Sequence, residues 1–223
     1  QRTGAYKLRG AYNRLTLLTT EERARGVVAA SAGNHAQGVA YAARELGIRA
    51  TIFMPLGVAL PKLQATRNYG ADVQLVGATF DETNRAAQEF VAETGAVFIP
   101  PFDDPAVIEG QGTIALEMLD AAPDIECLVV PIGGGGLISG VAAAAKQWAA
   151  EHDRTIRVIG VQAENAAPFR PSLAAGEPVT IQTRSTIADG IAVARPGDIT
   201  FQVVRDCVDE IVTVSDDDIA RAI

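Results

Sequence analysis

Short apolar runs alternate with longer helical segments along the chain. The apolar runs are four to six residues long and lie between glycine, proline or charged residues, which is typical of buried strands. We expect seven strands, at 27–30, 50–55, 72–76, 96–99, 127–131, 157–162 and 210–214. Their regular alternation with helices predicts an α/β protein with mainly parallel sheets.

The helical segments are separated by residues that stop or start helices. We expect helices at 9–25, 35–46, 61–69, 86–93, 107–119 and 137–152. Gly26, Gly47 and Gly70 directly follow the first three, and glycine commonly ends a helix. Periodicity weakens over 164–206, where we expect loops and short helices. Ser215 is the expected N-cap of a last helix.

Composition excludes several classes of partner. Of the 223 residues, 48% are hydrophobic and 21% are charged, as in ordinary globular proteins, and the net charge is −8. The basic residues do not cluster into a stripe, so we expect no nucleic-acid partner. No apolar run approaches the roughly 18 residues of a membrane span, so we expect no membrane partner.

The two cysteines are expected to be structural. Cys127 and Cys207 are both flanked by strand-like sequence, and we expect them to be reduced core residues, which favours a cytoplasmic location. They are too far apart in the sequence to suggest a metal site.

One lysine stands among small and apolar residues near the start of the chain. Lys7 follows Tyr6 within the segment TGAYKLRGA, and lysine is costly to bury. A desolvated lysine has a lowered pKa, which makes its amine a nucleophile able to form a Schiff base with an aldehyde. The alternative is an ordinary lysine on the surface of a helix.

Two further segments have a strand, a turn of small residues and the start of a helix. SAGNHAQG at 31–38 follows the strand at 27–30, and GGGGL at 133–137 follows the strand at 127–131. Such turns present backbone N–H groups and a helix N-terminus to an anion. The alternative for the second turn is a dinucleotide-binding domain, but its glycines do not have the G-x-G-x-x-G spacing.

These three segments, in this order, resemble the fold-type-II pyridoxal-phosphate enzymes and, among them, the threonine dehydratases. The similarity extends through three more stretches and so covers essentially the whole chain: 105–113, 186–190 and 209–214. The resemblance implies two three-layer α/β domains with mainly parallel sheets. A larger domain would comprise 1–28 and 103–223, and a smaller one would be inserted at 29–102. It also implies a chain truncated at both ends, without the residue that faces the pyridine nitrogen.

The resemblance assigns roles around the cofactor, pyridoxal 5'-phosphate. Lys7 would form the Schiff base and take the substrate's α-proton, with Tyr6 packed near the ring. Asn34 would bind the ring hydroxyl, and Gly190 would lie at the cofactor. The phosphate would be bound by the glycine turn, namely Gly133, Gly134, Gly135, Gly136 and Leu137.

The resemblance also places the substrate. Its carboxylate would be bound by the turn at 31–35, namely Ser31, Ala32, Gly33, Asn34 and His35. Helix capping by Ser31 or Asn34, and a satisfied polar role for His35, remain alternatives. Related serine racemases have a serine where this chain has Ala32, so elimination without racemisation is favoured. Relatives that bind a divalent cation use carboxylates where this chain has Gln162 and Pro168, so we expect no metal.

The implied reaction is a lyase reaction in amino-acid metabolism, including isoleucine biosynthesis. L-threonine would be dehydrated and deaminated to 2-oxobutanoate and ammonia, with L-serine giving pyruvate as a side activity. An L-serine dehydratase or another β-elimination enzyme is the alternative within the fold, and a non-catalytic module that binds a phosphate ligand is the alternative outside it. The family also leads us to expect a homo-oligomer, a dimer or tetramer.

Overall fold

A computed structural model describes residues 2–223, and they form two compact units. The first unit ends at Pro101 and the second is Phe102–Ile223. Both contain parallel sheets with helices between consecutive strands, which confirms the predicted α/β class.

The first unit has a four-stranded sheet in the order β3-β2-β1-β4, with every neighbouring pair parallel. Its helices and strands follow one another as α1 (Lys7–Thr16), α2 (Thr20–Arg25), β1 (Val27–Ala30), α3 (Asn34–Glu45), β2 (Ala50–Met54), α4 (Leu60–Asn68), β3 (Asp72–Leu75), α5 (Phe80–Thr94) and β4 (Val97–Phe98).

Both faces of this sheet are covered, because every residue of β1 is buried. Val27 and Ala29 point into a core built with α1, α3 and α4, whereas Val28 and Ala30 point into a second core with α5. Alternate side chains of a strand point to opposite faces, so a strand buried throughout requires a layer on each side. The first unit therefore has the three predicted layers.

The second unit has a three-stranded parallel sheet in the order β5-β6-β7. Its elements are α6 (Pro105–Ala121), β5 (Cys127–Pro131), α7 (Gly136–Glu151), β6 (Arg157–Ala163), α8 (Phe169–Ala175), α9 (Asp198–Cys207), β7 (Glu210–Val214) and α10 (Asp216–Ala222). Two short 3-10 helices, Glu164–Ala166 and Asp189–Ile191, lie in the region of weak periodicity.

Residues 102–223 cover one face of this second sheet. Leu128 and Val130 point into the core shared with α6, α7 and α9, but Val129 between them is 65% exposed. Cys127 lies on the same exposed face, and Cys207 is only half-buried. The expectation that both cysteines are core residues is therefore wrong. Like Val129, Cys127 lies on the face of the sheet that points away from the helices.

Three helical features differ from those expected. Helix α5 begins at Phe80, six residues before the start of the helix expected at 86–93. The single helix expected at 9–25 is broken into α1 and α2, because Thr19 starts α2 with a capping box: its hydroxyl accepts from the Glu22 N–H, and the Glu22 carboxylate accepts from the Thr19 N–H. Helix α9 lies inside the region where only short helices are expected. The capping of α10 by Ser215, with Asp218 reciprocating, agrees with the prediction.

The boundary between the units adjoins the predicted end of the inserted domain at 102. Residues before β1 group with the first unit, where α1 packs on α3, whereas the family division assigns 1–28 to the larger domain. That division of the whole protein stays a prediction.

Within residues 2–223, no helix combines the length and apolar character that a membrane crossing requires.

Close packing of α6 against α7 gives a stability prediction. A Cβ on Gly140 would lie 2.6 Å from the Gly112 backbone nitrogen and still closer to the Ile108 carbonyl oxygen. Backbone atoms cannot rotate away, so Gly140→Ala should lower the free energy of unfolding by about 3 kcal/mol, measured by urea denaturation. The control is Gly57→Ala, where a Cβ meets nothing within 4 Å. Equal losses in the two variants would contradict the proposed contact.

Candidate functional site

Lys7 is the first residue of α1, and its side chain is partly buried. Nζ donates a hydrogen bond to the Pro101 carbonyl oxygen at 2.5 Å. Burial lowers the pKa of Lys7 from 10.5 to about 8, because the charged ammonium loses its hydration. Within residues 2–223, no carboxylate forms an ion pair with it to restore the pKa. The amine is therefore suited to act as a nucleophile or a base near neutral pH.

The helix that carries Lys7 packs closely on α3 at Gly38. A Cβ at Gly38 would lie 3.1 Å from the Lys7 carbonyl carbon and 3.1 Å from the Leu8 nitrogen. Gly38 is the last residue of the SAGNHAQG segment. Two of the three motifs found in the sequence are thus adjacent, and the second contains the glycine that permits this approach.

Tyr6 lies beside the lysine, as expected. Its ring centroid is 5.5 Å from Lys7 Nζ, within the range of a cation–π contact. Burial raises the pKa of Tyr6 to about 12, so the phenol is neutral at physiological pH and adds no negative charge next to the amine.

The turn at 31–35 leaves the carboxyl end of β1 and starts α3. The Ser31 hydroxyl accepts from the Gly33 N–H at 3.2 Å, and the Ser31 N–H donates to the Phe53 carbonyl at 3.0 Å. Gly33 is the N-cap of α3, and no side chain caps this helix. Capping by Asn34 is therefore not observed: Asn34 is the first residue of the helix, and its amide donates and accepts no hydrogen bond among residues 2–223.

The helix start presents backbone donors. The first intrahelical bond runs from the Gln37 N–H to the Gly33 carbonyl at 3.4 Å, so the N–H groups of Asn34 and His35 precede the hydrogen-bonded turns. An anion there would gain from these donors and from the positive end of the helix dipole.

The His35 side chain is engaged inside the first unit. Nε2 lies 2.8 Å from the Ile99 carbonyl oxygen, and a carbonyl can only accept, so Nε2 carries the proton. Burial and the nearby Lys7 charge lower the pKa of His35 to about 3, against the opposing effect of the Ile99 hydrogen bond. The imidazole is neutral, and its geometry favours the satisfied polar role for the side chain.

The glycine turn follows the carboxyl end of β5 and starts α7 at Gly136. Ser139 N–H makes the first bond, to the Gly135 carbonyl at 2.9 Å. Among the described residues, no acceptor is hydrogen-bonded to the N–H groups of the five residues before Ile138: Gly133, Gly134, Gly135, Gly136 and Leu137. Backbone donors without acceptors at a helix N-terminus are groups that can bind an anion.

The packing behind the turn gives a further reason for its glycines. A Cβ on Gly134 would overlap the Phe102 ring, and one on Gly136 would lie 2.7 Å from Phe102 Cβ. Gly135 has φ +103, a conformation that favours glycine, and a Cβ there would lie 2.7 Å from Thr200 Cβ. The sequence explains the glycines by the approach of an anion. In the structure they are also required by the protein itself.

The other predicted residues lie on or next to these turns. Leu137 is half-buried against the core of the second unit. Gly190 lies in the exposed 3-10 helix Asp189–Ile191, and the backbone of its neighbour Ile191 contacts Gly133. Ala32 stands between Ser31 and Gly33 and has no group that can transfer a proton.

Sequence reasoning missed the residues that support the glycine turn. Phe102, Phe169 and Thr200 all contact it, but they are separated from it by about 30 residues or more in the sequence, and no spacing rule links them to residues 133–136.

No group of three or more metal-ligating side chains is found within residues 2–223. The Gln162 amide oxygen accepts from the Phe169 N–H, and the expectation of no metal stays a prediction.

Comparison with known proteins identifies similar chains. The model of the pyridoxal-phosphate dependent enzyme family matches residues 1–223. The chain is 54% identical over 223 residues to the L-threonine ammonia-lyase of Thermotoga maritima and 49% identical over 222 residues to the catabolic L-threonine dehydratase of Escherichia coli.

Two solved structures are similar to this chain over almost its whole length. Threonine deaminase isoform 2 from Solanum lycopersicum, in its processed form, has a TM-score of 0.95 at 46% identity, and maize serine racemase has 0.93 at 40%. These matches include 100% and 99% of this chain but 64% and 66% of the other chains. Likewise, the chain spans 55% of the Thermotoga protein and 66% of the Escherichia protein.

The reactivity of Lys7 should depend on pH in a way that an exposed lysine does not. The chain has three lysines, Lys7, Lys62 and Lys146, so amine labelling followed by mass spectrometry resolves each one. The rate at Lys7 should rise with pH to a midpoint near its pKa of about 8. The exposed Lys62 is the internal control. A midpoint near 10.5 at Lys7 would contradict its desolvation.

The free energy of unfolding should also depend on pH, in a direction that follows from the lowered pKa of Lys7. In the unfolded chain Lys7 has its ordinary pKa of 10.5, against about 8 when folded. The buried charge therefore opposes folding below pH 8, and this cost disappears as pH rises from 8 to 10.5. Lys7→Met should raise the free energy of unfolding at pH 7 by roughly 2 kcal/mol, after loss of the Pro101 hydrogen bond. The gain should vanish above pH 10.5, measured by urea denaturation without added cofactor.

Proposed function

Because the chain belongs to the family of pyridoxal-phosphate dependent enzymes, we propose that it carries out the dehydration and deamination of L-threonine to 2-oxobutanoate and ammonia. The observation that carries the proposal is the desolvated amine of Lys7, which has a pKa of about 8 and no counter-ion within residues 2–223. Relatives named as L-threonine ammonia-lyase and L-threonine dehydratase, 45–54% identical, support the choice of substrate.

Each unit contains groups whose chemistry suits one part of the cofactor, the aldehyde for Lys7 and the phosphate for the glycine turn. An aldehyde requires an uncharged amine, and the burial of Lys7 favours that form. A phosphate carries nearly two negative charges near neutral pH. The free N–H groups of the glycine turn, at the start of α7, supply donors without adding a counter-charge.

Each residue then has a defined task. Lys7 would hold the cofactor through its aldehyde, and the Lys7 amine would take up the substrate's α-proton. When bound, the cofactor supplies a ring that takes up the negative charge developing on the substrate carbon. The backbone N–H groups of Asn34 and His35, which have no acceptor among residues 2–223, would bind the substrate carboxylate, and the Gly33 N–H is held by the Ser31 hydroxyl. The Asn34 amide, which has no partner among residues 2–223, binds the ring hydroxyl.

Two features of the chain bear on the outcome of the reaction. Ala32 cannot return a proton to the opposite face of the substrate, which favours elimination over racemisation. The neutral His35 imidazole, held by Ile99, leaves Lys7 as the proton carrier in this part of the first unit.

The alternative is a serine-directed lyase in the same fold. It is supported by the similarity to maize serine racemase at 40% identity, and L-serine giving pyruvate is in any case the expected side activity. The cytoplasmic location, the homo-oligomeric state and the role in isoleucine biosynthesis stay predictions.

The test compares the unaltered chain with Lys7→Met and the matched variant Lys62→Met. Added pyridoxal phosphate should give a visible absorption band in the unaltered chain and in Lys62→Met, and borohydride should fix the label to Lys7. L-threonine should then yield 2-oxobutanoate faster than L-serine yields pyruvate. Lys7→Met should lose the band and reduce turnover by at least about 1,000-fold, since both covalent binding and proton transfer are removed.

The outcomes separate the candidates. Turnover by Lys7→Met equal to that of Lys62→Met would overturn the role of Lys7. A preference for L-serine would favour the serine-directed lyase. Cofactor binding without release of either oxo acid would favour the non-catalytic module that binds a phosphate ligand.

A further inference from the structure

The carbonyl group of Gly134 is held by two donors from the start of α9. Thr200 Oγ1 donates to the Gly134 oxygen at 2.6 Å, and the Gly197 N–H donates to the same oxygen at 3.2 Å. Thr200 is completely buried. Two hydrogen bonds on one buried carbonyl fix the orientation of the peptide plane between Gly134 and Gly135.

That orientation determines where the next donor points. In a trans peptide the C=O and the following N–H point in opposite directions in one plane. Because the Gly134 oxygen points towards α9, the Gly135 N–H points away from α9. Gly135 also has φ +103, so its backbone would otherwise be free to adopt several conformations.

The start of α9 is itself fixed by a carboxylate. Asp103 accepts hydrogen bonds from three successive N–H groups: Asp198 at 2.9 Å, Ile199 at 3.0 Å and Thr200 at 3.1 Å. Its negative charge also complements the positive end of the α9 dipole. Gly197 allows the carboxylate to come this close, since a Cβ there would overlap it.

The two helix starts in this part of the second unit therefore differ. The N-terminus of α9 has a carboxylate from the protein, whereas the first N–H groups of α7 have no acceptor among the residues described. The threonine hydroxyl connects them, since it belongs to α9 and binds the turn before α7.

We propose that Thr200 is a positioning residue for phosphate binding: by holding the Gly134 carbonyl it directs the Gly135 N–H towards a phosphate monoester. The inference rests on the proposed function, in which the glycine turn binds the cofactor's phosphate. Thr200 itself does not touch the ligand. Its effect should appear in the discrimination between ligands with and without the phosphate.

The experiment measures dissociation constants of pyridoxal phosphate and of pyridoxal, which has the aldehyde but no phosphate. Thr200→Val keeps the shape of the side chain and removes the hydroxyl, and Thr200→Ser keeps the hydroxyl. Thr200→Val should weaken the binding of pyridoxal phosphate about tenfold and leave that of pyridoxal unchanged. Thr200→Ser should retain most of the preference for the phosphate.

The ratio of the two dissociation constants in the unaltered chain tests the glycine turn, and the same ratio in Thr200→Val tests Thr200. If the unaltered chain binds both ligands equally, the phosphate role of the glycine turn is wrong. If it prefers pyridoxal phosphate and Thr200→Val keeps the same ratio, Thr200 is only structural and the inference is overturned.

A second variant covers the case in which Thr200→Val does not fold. Asp103→Asn replaces an acceptor oxygen by an amide nitrogen at the start of α9 and leaves every group of the turn in place. It should reduce the ratio of the two affinities severalfold, since α9 then holds Thr200 less firmly. An unchanged ratio in a folded Asp103→Asn protein would overturn the inference.

Discussion

The first unit places the amine of Lys7 where it loses hydration, and the properties of the neighbouring side chains depend on this. An ammonium group loses its hydration when buried, and no carboxylate within residues 2–223 compensates it at Lys7, so the neutral form becomes accessible at a pKa of about 8. The surroundings are consistent with this. Burial moves the pKa of Tyr6 further above neutrality, and burial together with the Lys7 charge lowers the pKa of His35, so neither side chain is charged beside the amine at neutral pH. The Pro101 carbonyl gives the amine a dipole to bind in place of an opposite charge.

In the proposed function the second unit has the opposite task, because it would bind the negative charge of a phosphate. Its glycine turn offers backbone donors at the start of α7, while Phe102 and Thr200 support the turn from behind. Rigid support matters because donors fixed before a ligand arrives lose little conformational freedom on binding. Both motifs follow the carboxyl end of a parallel strand, β1 in one unit and β5 in the other, which is where ligands bind in such sheets.

How much the sequence predicts depends on whether the controlling contact is local. Strands β1, β5 and β7 have the predicted limits because each is a short apolar run between residues that stop a strand. The break before α2 had a local signal, the Thr19–Glu22 capping box. Helix α9 had none, because its capping carboxylate comes from Asp103, 95 residues away from Asp198. For the same reason the motifs identify the turns, but the residues that support them emerge only from the fold.

The close approach at Gly38 has a consequence for altering this protein. A methyl group there would press on the backbone of Lys7 and Leu8, at distances that few real Cβ atoms reach. The helix bearing the amine and the segment that starts with Ser31 are therefore not independent parts. A side chain introduced at position 38 would therefore displace the backbone that carries the Lys7 amine, although the substitution itself lies on α3.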